Sequence, residues 1–328
     1  MKSRYAALFA LSVICLPTFG APAAAQTAGA FPEREIRIII GFPPGSSIEL
    51  SLRALAQVAS KYISKPLIIV NKPGASQAIA LGELVRTTPD GYTIGVTTDG
   101  FRAVTRYQQA TNFEPDDLRV LVGYARLRHI LFVKGDSPYG NYDDYVKFGR
   151  TKENALDYGG TGQGTAPDLI GRVFFRDLGI KATYVPFRGT NELIPAILGN
   201  HLISGINDIS VLLPQIENKA LKAVMVYGNA RLEELPDVPS SKEKNHSDIN
   251  LFNSTVSVIA HKDIPADRLK YLEDAFRRAA EDPDFKKAAK DTGLQAVSIR
   301  PQEVEDGIVA LKKMGIPLLK EMNLYVGP

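Results

Sequence analysis

Residues 35–63 read EIRIIIGFPPGSSIELSLRALAQVASKYI, and their order decides the fold. The β-branched run from Ile36 to Ile40 has the pattern of a strand buried on both faces. From Ile48 onward the apolar residues return at helical spacing, in Leu52, Leu55 and Ala59. Only GFPPGSS, Gly41 to Ser47, separates the two. A strand that enters a helix through one short turn is the opening of a βα unit.

The same alternation continues along the chain. Strands are predicted at EIRIIIGF (35–42), PLIIVN (66–71), YTIGVTT (92–98), RHILFVK (128–134), LDYGG (156–160), ATYVPF (182–187), LISGIND (202–208) and LKAVMVYG (221–228), with helical spacing between most of them. This predicts an α/β fold with largely parallel sheets. Ligands in such sheets sit at the carboxyl ends of the strands. There GFPPGSS, YGGTGQGTAPDLIGRVFF (158–175) and VPFRGTNELIPAIL (185–198) each lead into a helix. SSKEKNHSD (240–248) reads as a solvated loop, followed by STVSVIAHKDIP (254–265) and two capped helices. Asp282-Pro283 opens the second of these and Gly293 ends it.

At 328 residues the chain has ample material for about two domains. Its first residues, MKSRYAALFALSVICLPTFGAPAAAQ, place Lys2 and Arg4 before an apolar run of about a dozen residues and then small residues, as in a secretory signal peptide. That run is too short to span a bilayer. Lipidation of Cys15 calls for a small residue before it, and Ile14 stands there. Cleavage after Ala25 removes Lys2, Arg4 and the single cysteine, so the net charge falls from +3 to +1. A thiol catalyst, a disulfide framework and a nucleic-acid partner are then all disfavoured.

A helix start leaves backbone N–H groups unpaired and carries partial positive charge. In GFPPGSS the prolines stiffen the approach, Gly45 permits close contact, and Ser46 and Ser47 add hydroxyl donors. The turn suits a carboxylate; it equally suits a plain connector. GGTGQGTAPD is a second such turn. It lacks a dinucleotide fingerprint, since Thr165 occupies the last glycine position and no acid ends the next strand, and neither turn carries the lysine of a P-loop.

The order of FPEREIRIIIGFPPGSS, VNKPGASQAIALGELVRTTPDGYTIGVTT, LDYGGTGQGTAPDLIGRVFF, YVPFRGTNELIPAILGNHLISGIND and LKAVMVYGNARLEELPDVPS resembles the periplasmic solute-binding proteins of tripartite tricarboxylate transporters, the Bug type. The resemblance covers nearly the whole chain after the signal segment. It implies a two-lobed, type II-like Venus-flytrap α/β fold, with an organic acid, commonly a dicarboxylate or aromatic acid, held between the lobes. It also implies delivery to the large and small membrane subunits of a transporter. Lobe 1 is expected at 31–125 plus 229–328 and lobe 2 at 126–228, with VLVGYARLRHILFVK and KAVMVYG as the crossings. A periplasmic monomer with no cofactor, metal or catalytic residue is expected.

The resemblance carries Thr161, Gly162, Gln163, Gly164, Thr165 and Asp168 to the ligand, Asp168 having a helix cap as its other reading. Arg188-Gly189-Thr190 stands where the family usually has Lys-Gly-Ser, and Asn207-Asp208 where it has Asp-Asn. Gly45-Ser46-Ser47-Ile48-Glu49 replaces Gly-Gly-Ser-Thr-Asp, trading a hydroxyl for an apolar branch. TTDGFRAVTR brings Thr98, Asp99, Phe101 and Arg102 to the cleft mouth. Phe42 and Phe101 are candidates to flank the ligand body, and Arg102, Arg106 or Arg188 to meet a distal carboxylate. The competing roles are core phenylalanines, solvated arginines and, for Arg188, an ion pair.

Two other classes stand beside this reading. A chemosensory ligand presenter would share the cleft. A secreted hydrolase is disfavoured because His129, His201, His246 and His261 are isolated and no Gly-x-Ser-x-Gly elbow occurs. His129 reads as a strand residue rather than a general base.

Overall fold

The computed structural model describes residues 31–246, 254–291 and 294–327. The expected signal peptide (1–25), its cleavage site and the helix stop at Gly293 lie outside the described residues. In chain order the elements of the first part are β1 (Ile36–Ile40), α1 (Ser47–Ala59), β2 (Leu67–Asn71), α2 (Ala78–Arg86), β3 (Thr93–Thr98), α3 (Asp99–Ala103) and β4 (Leu118–Arg126). Then come β5 (His129–Lys134), α4 (Tyr142–Gly149), β6 (Leu156–Thr161), α5 (Ala166–Asp177), β7 (Ala182–Phe187), α6 (Thr190–Leu198), β8 (Ser204–Asp208), α7 (Leu213–Glu217) and β9 (Leu221–Val226). The last are β10 (Thr255–His261), α8 (Ala266–Glu281), α9 (Pro283–Asp291), β11 (Gln295–Ile299) and α10 (Pro301–Glu321).

These strands form two sheets, of order β11-β4-β10-β3-β1-β2 and β7-β6-β8-β5-β9. The run IRIII becomes β1 because it lies between β2 and β3, where a strand has both faces covered. Ile36, Ile38 and Ile40 are fully buried, each stabilising the fold by about 1.5–3 kcal/mol. In α1, Ile48, Leu52, Leu55 and Ala59 face inward, and Ser46 caps the start by accepting from the amide of Glu49.

The sheets are mixed, which corrects the expectation of largely parallel ones. Helix crossovers do align β1 with β2 and β3, and β6 with β7 and β8. However, β4 passes to β5 through Leu127 and Arg128 alone, without a helix. Nothing then forces a parallel entry, and β5 runs antiparallel to β8 and β9, as β10 does to β3 and β4. Of the expected solvated loop at 240–248, the described part, 240–246, is packed against the fold. Ser240 and Ser241 are buried, and the backbone pairs with Val226 and Gly228. Among the described residues, no helix is long and apolar enough to cross a membrane.

Candidate functional site

A cavity lies between the carboxyl ends of the two sheets. It encloses about 60 Å³ open to the centre of a water molecule, roughly four or five waters' worth and the scale of a short organic acid. The N-terminal turns of four helices contribute to its wall: α1 and α3 from the first sheet, α5 and α6 from the second. Among the described residues, no aspartate or glutamate lines it, whereas Arg188 and His129 do. A longer helix presents about half a positive charge at its start. The wall is therefore electropositive and suits an anion.

The first turn is built from within. Gly45 adopts φ +80°, a left-handed conformation that glycine accepts freely. It turns its amide away from the cavity, donating to Glu49 Oε2 at 3.0 Å. Glu49 is itself buried and pairs with Arg53 through its other oxygen. One donor of the turn is thus already occupied, and Gly45 does not line the cavity. Ser46 uses its hydroxyl as the cap, and its amide donates to Pro43 O. The amides of Ser47 and Ile48 have no acceptor among the described residues, and both residues line the cavity. They are the donors this turn offers.

Phe42 and Phe101 also belong to the wall. Phe101 is at once a core residue, stacked on Phe113 with centroids 6.4 Å apart. Thr98 lines the cavity while capping α3, its Oγ1 accepting from the Phe101 amide at 3.2 Å. From the second sheet come Thr161, Thr165, Arg188, Gly189 and Asn207. Asn207 donates through Nδ2 to Thr190 Oγ1 at 3.0 Å, which holds the start of α6. Arg188 is exposed and forms no ion pair among the described residues, leaving its guanidinium available at the cavity mouth.

Other expected positions are placed differently. Arg102 is 3% exposed and turned away from the cavity, donating to Glu305 Oε1 at 2.7 Å and to the carbonyls of Pro115 and Leu118. Arg106 is likewise buried and bound to Glu114. Both arginines brace the first sheet's helices instead of meeting a ligand. The three aspartates are spent on backbone. Asp99 accepts from the amides of Gly100 and Thr255. Asp168 accepts from the Gly164 amide and pairs with Arg172. Asp208 accepts from the amides of Arg128 and Ser210. Burial pushes the carboxyls of Asp99 and Asp168 up against these partners. None of the three lines the cavity.

The second turn joins the two halves. Gly162, Gln163 and Gly164 do not line the cavity. Instead the Gly164 carbonyl accepts from Thr105 Oγ1 at 2.7 Å and from Gln108 Nε2 at 3.0 Å. The Gln163 carbonyl accepts from Ser76 Oγ at 3.1 Å. Carbonyls of one sheet's turn therefore take donors from the other sheet's helices.

Sequence reading misses Gln77, which is 3% exposed and lines the cavity. It ends a run of three left-handed residues, with φ of +43° at Ala75, +47° at Ser76 and +90° at Gln77. Such conformations cost of order 1–3 kcal/mol each in non-glycine residues and cluster at functional sites. The signal available was KPGASQAIA, a further strand-turn-helix junction with the same grammar as GFPPGSS. Among the described residues, no group of His, Cys, Asp and Glu is placed to hold a metal.

Comparison with known proteins places this architecture. The sequence profile of TctC, the tripartite tricarboxylate transporter family receptor, matches residues 51–324. The chain belongs to that receptor family. The receptor is 29% identical over 305 residues to the UPF0065 protein in the gbd 5′ region of Cupriavidus necator, covering 92% of this chain and 91% of that one. Its fold is similar to that of the periplasmic binding protein BugD, at TM-score 0.82 and 21% identity over 90% of this chain and 99% of that one. An R. palustris protein solved with adipate is similar at TM-score 0.81 and 20% identity, over 88% and 97% of the two chains.

Proposed function

We propose that this receptor captures a small organic carboxylate in the cavity between its two sheets and delivers it to the membrane subunits of a tripartite tricarboxylate transporter. The observation that carries the reading is the convergence of four helix N-termini on a wall with no acidic side chain among the described residues. The amides of Ser47 and Ile48 hold one carboxylate, Thr98 and Asn207 add polar contacts, and Arg188 meets a second carboxylate at the mouth. Phe42 and Phe101 flank the body of the acid. The adipate bound by a relative of the same fold supports a ligand of this class.

Two lobes, 31–125 with 229–328 and 126–228, close over the acid, and the closed form is what the membrane partner reads. The protein works in the periplasm as a monomer after losing residues 1–25. The test is a thermal-shift panel of mono-, di- and aromatic carboxylates beside neutral sugars and amines. An acid at about 100 times its Kd adds roughly 2.7 kcal/mol and raises Tm by several degrees. Stabilisation by sugars or amines alone would refute the anion reading.

A further inference from the structure

We propose that Gln77 sets which acid the cavity accepts, by walling one side of it and by fixing the Thr98 hydroxyl as a proton donor into it. The inference rests on the carboxylate reading above. Thr98 Oγ1 accepts from two N–H donors, the Phe101 amide at 3.2 Å and Gln77 Nε2 at 3.4 Å. Both its lone pairs are then engaged, so its own proton has to be donated. No acceptor for that proton occurs among the described residues, and Thr98 lines the cavity. The hydroxyl is thus an obligatory donor toward a ligand oxygen. Gln77 is held in turn by Thr97 Oγ1, which donates to its Oε1 at 3.1 Å, making a chain of bonds in which each member orients the next.

The backbone is arranged for the same end. Gln77 reaches this place only through the left-handed run at Ala75, Ser76 and Gln77. A Cβ at Gly41 would stand 2.6 Å from Gln77 Cα, so the turn after β1 and the turn before α2 lock together at that glycine. Ser76 meanwhile donates across the cleft to Gln163 O, which ties the placement of Gln77 to the closed arrangement. The strain is therefore tied to the position of one side chain.

The test measures calorimetric affinities of succinate, glutarate, adipate and pimelate for the wild type, Gln77→Met and Gln77→Gly. Methionine keeps the bulk but offers no amide, so affinity for every acid is expected to fall about tenfold with the order of the four unchanged. Glycine relieves the φ and opens the wall, so the ratio of pimelate to succinate affinity is expected to rise about tenfold or more. Wild-type affinity and order in both folded variants would overturn the inference. If Gln77→Gly does not fold, Gln77→Ala, which also opens the wall, decides the order of the acids, and Gln77→Met decides the role of the amide. If the wild type binds none of the four acids nor any other carboxylate, the carboxylate reading itself fails and takes this inference with it.

Discussion

Thr105 Oγ1 donates to the carbonyl of Gly164 at 2.7 Å, joining the helices of the first sheet to the glycine-rich turn of the second. Gln108 Nε2 shares the same acceptor. Neither bond requires a ligand, so the two sheets are linked at this turn without one. Replacing both donors, in Thr105→Val with Gln108→Leu, removes about 1 kcal/mol per bond. The unliganded double variant is expected to show a larger radius of gyration in solution scattering, and its affinity for a bound acid to fall about fivefold to twentyfold. An unchanged radius and affinity would show that these two bonds contribute nothing to the proposed closure.

The first turn separates backbone recognition from side-chain recognition. Ser47→Ala removes one hydroxyl and leaves the amides of Ser47 and Ile48 in place, at a cost of about 1 kcal/mol, or fivefold in affinity. Gly45→Val forces a β-branched residue to φ +80°, which costs about 1–2 kcal/mol in stability and displaces the amides that follow. Binding is expected to be lost in Gly45→Val and kept in Ser47→Ala. Calorimetry with circular dichroism as folding control distinguishes them, and near-normal binding in folded Gly45→Val would reduce the turn to a connector.

Arg188 and Arg102 make opposite predictions. Arg188 is exposed and without an ion pair among the described residues. Arg188→Ala is expected to weaken a dicarboxylate by about 1 kcal/mol, solvent screening keeping the loss small, and to leave the matching monocarboxylate unchanged. Arg102→Ala instead deprives Glu305 and two backbone carbonyls of their partner, and is expected to lower stability by about 2–3 kcal/mol while the acid preference stays. Denaturant melts and paired titrations check both arms.

His246 gives the pH prediction. It is nearly buried, with Nε2 2.9 Å from Tyr142 Oη and the Phe174 ring edge-on, and burial holds its pKa below the ordinary 6.5 in spite of Asp177. A depressed folded pKa means that folding favours the neutral imidazole. Its contribution is complete above about pH 6.5 and is lost as pH falls from there through the folded pKa. The Tm advantage of the wild type over His246→Gln is expected to shrink below about pH 6.5. A constant difference from pH 5 to about 8 would show that His246 does not titrate in this window.

The α/β class and the places where strands hand over to helices through short turns were legible in the sequence because each is a local property. β-branched runs, apolar spacing and a capping serine act within a few residues of one another. Ser46 and Glu49 could even have been read as a variant of the capping box, with the carboxylate reaching Gly45 instead of the cap. The mixed sheets, the turn of Arg102 away from the cavity and the partners taken by Asp99 and Asp208 were decided by residues distant in the chain. Arg102 turns away from the cavity because Glu305, on α10, and the carbonyls of Pro115 and Leu118 lie behind it. Gly164 became a cross-sheet acceptor only when Thr105 and Gln108 came within reach. Ala75, Ser76 and Gln77 have no intrinsic preference for positive φ. The close packing of Gln77 on Gly41 and the bonds to Thr97, Thr98, Gln109 and Gln163 hold them there, and such a balance exists in the folded protein alone.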